Sequence, residues 1–141
     1  MAKTKSITVS EVKYVAYEMA RRFMERNEPI PDFGARFPNI LESCLGQPFM
    51  AFGKKNLYVG LNGKAAIFFY LMIKNHPFKN GNKRIAITTL LYMLQKNGKW
   101  LRLSNDSLYS FALDIAKSDP KKKDEVIIQI ARFIRAHLVS K

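Results

Sequence analysis

A chain of 141 residues suits one domain, residues 1–141, and can bury a real core. With 48% hydrophobic and 25% charged residues it reads as globular, not disordered, and its longest apolar run, Ala65–Ile73, is about half what a membrane-spanning helix needs. A net charge of +13, from 24 Lys plus Arg against 11 Asp plus Glu, favours nucleotides, nucleic acid or an acidic protein as partners. Cys44 is the only cysteine, which excludes an intrachain disulfide, and with two histidines it leaves no set for structural zinc. Met1–Ser10 has no apolar signal stretch, so a cytoplasmic chain is expected, with no membrane partner.

Ser10 is placed to cap a first helix, whose apolar face is Val12, Val15, Ala16, Met19, Ala20 and Phe23 at three- and four-residue spacing. Pro29 and Pro31 end it. Between Asp32 and Pro48, Gly34, Pro38 and Gly46 leave room for one short helix, Asn39–Leu45, capped by Asn39. In Phe49–Val59 two short apolar pieces flank Gly53-Lys54-Lys55-Asn56, a pattern for a small β-hairpin or ordered flap. Asn62 is the expected cap of a helix over Gly63–Asn75, apolar nearly all round and therefore interior. Lys83–Asn97 repeats that picture, and Gly98 stops it. Ser104 or Asp106 opens a helix to Lys117 that turns Leu108, Phe111, Ala112 and Ile115 inward before Pro120. The last helix starts near Lys121, with Val126, Ile130, Ile134 and Leu138 at helical spacing. Strand signals are few, so the fold class is an all-α bundle.

The polar segment His76–Arg84 joins the two most apolar helices, whose packing would hold it rigidly. Gly81 permits a tight turn and close approach of a ligand to the main chain. Asn82 and Lys83 stand at a helix start, where backbone N–H groups and the helix dipole favour an anion. Arg84 adds a planar fork of donors matched to phosphate oxygens, and Lys83 a second positive charge. Asn80 carries an oxygen that could reach Mg²⁺. His76 carries an imidazole that could take a proton from an attacking hydroxyl. Phe78, apolar within a polar run, is the expected anchor of the loop. Each residue alone has an ordinary reading as a cap, a turn or solvated charge. In this order they form a base, an anchor, a cation ligand and an anion cradle. Cys44 reads as core, His137 as a packing residue of the last helix, and Lys121-Lys122-Lys123 as a solvated helix start.

His-Pro-Phe-Lys-Asn-Gly-Asn-Lys-Arg resembles the signature loop of the Fic/Doc family. The flanking Leu57-Tyr58-Val59, Ile73-Lys74-Asn75-His76 and Asn97-Gly98 are similar too, and the resemblance is strongest from Ile40 to Trp100. It implies an all-α bundle with a β-hairpin flap beside the active loop, in which Phe52, Lys54, Lys55 and Leu57 would align a target protein. It further implies that ATP is the substrate, that His76 deprotonates a hydroxyl of the target, that Gly81, Asn82, Lys83 and Arg84 hold the phosphates, and that residue 80 helps hold Mg²⁺. Adenylyl-transferring members usually read Gly-Asn-Gly-Arg with a second arginine three residues later. Here Lys83 replaces that glycine and Ile87 that arginine, as in the death-on-curing (Doc) branch. That branch's founding toxin phosphorylates elongation factor Tu, which implies a bacterial toxin of a toxin–antitoxin pair. Asn80 stands where Asp or Glu is common, and a neutral amide is the poorer Mg²⁺ ligand. No glutamate is followed by Gly or Asn, so the family's self-inhibitory segment is missing and a separate acidic antitoxin is implied. AMP transfer is the alternative within the family. A basic helical module that binds nucleic acid or a partner without catalysis is the alternative outside it, although nucleic acid is not expected as a substrate.

Overall fold

The computed structural model describes residues 4–23, 33–52, 55–56 and 60–140. The first helix, α1, is α-helical over Val9–Glu11, π-helical over Val12–Tyr17 and α-helical again over Glu18–Phe23. Thr8 caps it, not Ser10. The Thr8 hydroxyl accepts from the Glu11 amide at 3.2 Å, and the Glu11 carboxylate accepts from the Thr8 amide at 3.1 Å. This reciprocal arrangement needs Glu or Gln three residues after the cap. Thr8 has Glu11 there, whereas Ser10 has Lys13. Val12 and Ala20 are buried, as expected. The predicted stops at Pro29 and Pro31 lie outside the described residues.

Glu11 also fastens α1 to the far end of the fold. Its carboxylate accepts from the Tyr92 hydroxyl at 2.6 Å and from Lys96 Nζ at 2.8 Å. Burial alone would raise this carboxyl, but hydrogen bonds from Lys96, Tyr92 and the Thr8 amide hold it down at about 2. The ordinary value is 4.5, so this contribution to stability is complete above that pH and is lost as pH falls from 4.5 towards about 2. Glu11→Gln is expected to cost roughly 1–3 kcal/mol near neutrality and to remove the part of the acid loss of stability that this carboxylate carries. Thermal unfolding of both chains at neutral and acid pH checks it. An equal acid loss in the two would show that the carboxylate does not act this way.

The short helix α2 runs over Pro38–Gly46 and buries Leu41, Cys44 and Leu45. Phe37 occupies its cap position without a side-chain bond. Asn39 is therefore not the cap. Pro38, whose fixed φ suits the first helical position, starts the helix a residue earlier than expected. A 3₁₀ turn, Gln47–Phe49, leads to two short strands, β1 (Ala51–Phe52) and β2 (Lys55–Asn56). They pair antiparallel, Ala51 with Asn56 and Phe52 with Lys55, as the predicted hairpin requires. Lys54 and Leu57 lie outside the described residues.

Helix α3 spans Gly60–Lys74. Asn62 falls inside its first turn rather than at its cap, because Gly60 adopts a φ of 70° and turns the chain into the helix earlier. Every residue from Lys64 to Ile73 is buried, as an all-round apolar helix demands. Helix α4, Asn82–Lys96, packs against α3, and Gly98 at φ 77° follows its end. Helix α5, Asn105–Lys117, is capped by Ser104, whose hydroxyl accepts from the Ser107 amide at 3.1 Å. A 3₁₀ turn, Pro120–Lys122, precedes α6, Lys123–His137, which lies along α3 and buries Ile127, Ile130 and Ile134 against the core.

Leu138 is not on α6. It opens strand β4 (Leu138–Ser140), which pairs antiparallel with β3 (Lys99–Leu101) in the register Leu101 with Leu138 and Lys99 with Ser140. Strands of three residues are too short for an alternation to be read, so this ribbon was not expected. The architecture is the all-α bundle with a small hairpin expected from the sequence, and the β3–β4 ribbon is the addition. No helix among the described residues is long and apolar enough to cross a membrane.

Candidate active site

The segment between α3 and α4 is tied down from several sides. At its start, Lys74 Nζ donates to the Ser118 carbonyl at 2.6 Å and to the Ala116 carbonyl at 3.3 Å, a cation placed on the C-terminal end of α5. In the middle, Phe78 is 1% exposed, and its ring lies 5.8 Å from that of Phe33. Beside it, the Pro77 carbonyl accepts from the Phe37 amide at 2.8 Å. At the end, the Asn82 side chain closes the loop on itself. Its Oδ1 accepts from the Phe78 amide at 2.9 Å, and its Nδ2 donates to the Phe78 carbonyl at 2.8 Å. Asn82 is 3% exposed, so both bonds are shielded from water, where losing one is costly.

On this frame His76 is exposed, with backbone φ of 51°. Its Nδ1 lies 3.5 Å from Asn82 Nδ2. Gly81, at φ 72° and ψ 14°, occupies the cap position of α4 and, as a glycine, makes no side-chain cap bond to the helix start. The main-chain N–H groups and dipole of the first turn of α4 favour an anion at this end. Lys83 is half-buried there, and Lys79 and Asn80 are exposed. Arg84 is buried, and its Nη2 donates to the Ala20 carbonyl of α1 at 2.9 Å. An open imidazole thus stands next to a helix start flanked by two cations. Such an arrangement can hold phosphate oxygens and accept a proton from a hydroxyl brought up to them.

The structure gathers His76, Gly81, Asn82, Lys83 and Arg84 on one short segment and puts Phe78 in the core. Asn82 and Arg84 are also engaged structurally. What Asn82 can offer an anion is its main-chain N–H, because its side chain holds Phe78. The Arg84 guanidinium is tethered to α1. Of the flap residues, Phe52 and Lys55 are described as a paired register position. Among the described residues no group of three His, Cys, Asp or Glu could hold a metal ion. Asn80 is the oxygen donor that the loop itself presents, which fits a Mg²⁺ held mainly by nucleotide phosphates and water. Cys44 is fully buried, and burial pushes its thiol up to about 12, so it is core and not a nucleophile.

Several supporting residues escaped the sequence. Phe33 and Phe37 lie in a stretch without periodicity, and Arg36 stacks on Phe33 at 4.4 Å. Lys74 looks like any helix-end lysine. The Ala20 carbonyl is a backbone group that no motif marks.

The model of the Fic/DOC family matches residues 6–94 of this chain. No curated protein and no solved structure gives a significant match.

Proposed function

The chain belongs to the Fic/DOC family, a family of nucleotide-dependent transferases acting on proteins, and on that premise we propose that it moves the γ-phosphoryl group of ATP onto a hydroxyl of a target protein. The observation that carries this reading is the open His76 imidazole held next to the Gly81–Arg84 helix start. In the proposed step the hydroxyl oxygen forms a bond to the γ-phosphorus, the bond from that phosphorus to the bridging oxygen breaks, and ADP leaves. The hydroxyl proton goes to His76. The main-chain N–H groups at the start of α4, with Lys83 and Arg84, balance the charge of the triphosphate. A Mg²⁺ carried in with ATP would neutralise phosphate charge, with Asn80 as its protein ligand. Phe52, Lys54, Lys55 and Leu57 of the flap would align the target segment.

Two residues favour phosphoryl over AMP transfer. Lys83 is half-buried beside the cradle, where an AMP-transferring member carries glycine. Ile87, where such a member carries its second arginine, is 0% exposed in the core. The cations available to the triphosphate are thus differently placed, which supports an inverted triphosphate with its γ end at His76. The reading extends to a toxin of a toxin–antitoxin pair. It has a translation factor such as elongation factor Tu as target, and an acidic antitoxin drawn to the +13 surface.

Purified protein incubated with a cell extract and ATP labelled at either the γ or the α phosphate tests the reaction. Label is expected on extract protein from the γ position. Transfer from the α position alone would establish AMP transfer instead. Absence of both, with binding to DNA that survives loss of His76 and Arg84, would move the chain to the binding modules.

A further inference from the structure

His76 is the non-glycine residue with positive φ among the described residues, at 51°. A left-handed conformation costs an L-residue roughly 1–2 kcal/mol. His76 also precedes Pro77, and a residue before proline is steered towards extended backbone. Local preference therefore works twice against the observed conformation. Something outside residue 76 must hold it.

The ring of Pro77 fixes its own φ. Its carbonyl is fixed from outside, by the Phe37 N–H at 2.8 Å. With both sides of Pro77 set, the peptide between His76 and Pro77 is carried as a stiff unit. The stretch that presents this N–H is itself braced. Phe33–Ala35 forms a 3₁₀ turn, and the Arg36 amide donates to the Phe33 carbonyl at 3.1 Å. Arg36 Nη1 donates to the same carbonyl at 3.3 Å, with the guanidinium 4.4 Å over the Phe33 ring. That ring meets Phe78, and Pro38 starts α2 immediately after Phe37. The donor is therefore delivered by a rigid segment distant in sequence from the loop.

We propose that the main-chain N–H of Phe37 is a positioning group that keeps His76 left-handed and so aims its imidazole at the incoming hydroxyl. This rests on the reading of His76 as the base. The phosphate cradle has its own tether, from Arg84 to Ala20, so the Phe37 brace and the Arg84 tether come from different parts of the chain, although Asn82 Nδ2 also lies 3.5 Å from His76 Nδ1. Releasing the first should slow the chemistry without weakening ATP binding.

Phe37→Pro deletes the N–H, and Phe37→Ala retains it. Position 37 has φ −95° and ψ 98°, and proline reaches that region with a modest adjustment. Two quantities are read: the backbone φ of His76, from a crystal structure or from NMR couplings and shifts, and the steady-state transfer of label from ATP to extract protein. Phe37→Pro is expected to move His76 out of the left-handed region and to lower kcat roughly 10- to 100-fold, with KM for ATP within about twofold. Phe37→Ala should restore kcat to within about threefold of the parent. If His76 keeps its positive φ in Phe37→Pro, the proposal is wrong. If His76 moves and kcat does not, the positioning role falls, and with it the assignment of His76 as base, while the bracing contact stands. Should Phe37→Pro not fold, amide exchange in the unaltered chain decides. Strong protection of the Phe37 N–H supports the brace, and open-chain exchange overturns it.

Discussion

His76→Ala is expected to reduce transfer from ATP to extract protein by roughly 10²–10⁴-fold, the usual share of a positioned general base. Stability should change little, because the imidazole is exposed and surface truncations typically fall within about 0.5 kcal/mol. ATP binding should persist, since the Gly81 cap and Lys83 stay in place and Arg84 keeps its bond to Ala20. Rate and binding are therefore predicted to separate. Initial rates at saturating ATP, with calorimetric titration of ATP, make the comparison. A variant that transfers label at the parent rate would remove His76 from the chemistry. A variant that loses binding as fully as rate would make the residue part of the cradle.

Phe78→Ala should have the largest effect on stability. The side chain is 1% exposed and packs against Phe33, and truncating a buried phenylalanine typically costs about 3–5 kcal/mol. For a chain of this size that corresponds to a fall of roughly 10 °C or more in Tm. Activity should fall further than Tm alone explains, because Asn82 holds the backbone of this same residue through both its N–H and its C=O. Once the ring is lost, that clamp has no fixed point. Phe78→Leu, which keeps most of the apolar volume, should recover much of the Tm and part of the rate. Thermal scans beside initial rates for the three chains test this. A shift of only a degree or two in Phe78→Ala would mean that the loop is held by its hydrogen bonds and not by the core.

The two central helices were legible because Ala65–Ile73 and Ile85–Leu94 are so largely apolar that an interior position suits them. The loop between them was legible because its residues are chemically unlike their surroundings and stand in a specific order. Helix starts were less so. Ser10, Asn39 and Asn62 all have cap-forming side chains, yet a reciprocal glutamate, a proline and a glycine set the actual starts at Thr8, Pro38 and Gly60. A cap competes with its neighbours, and composition at one position cannot show which neighbour wins. The short ribbon between Trp100 and Val139 depends on α6 returning the chain to that place, which is a tertiary matter. The site was hidden in the same way. His76 could be named from its type, but the Phe37 amide and the Ala20 carbonyl that hold the loop are main-chain atoms, which carry no residue signature.

The bonds that close the N-terminal segment onto α4 join partners far apart along the chain: Arg84 to Ala20 across 64 positions, Lys96 to Glu11 across 85 and Lys5 to Asn97 across 92. Bringing such distant partners together carries a large loss of chain freedom that nearby partners avoid. The hairpin of α3 and α4 can collapse on its own local contacts, whereas α1 can be sealed only onto a surface that already exists. The spacing thus leads us to expect α1 to dock late, with the guanidinium next to the phosphate cradle reaching its final setting only when that helix arrives.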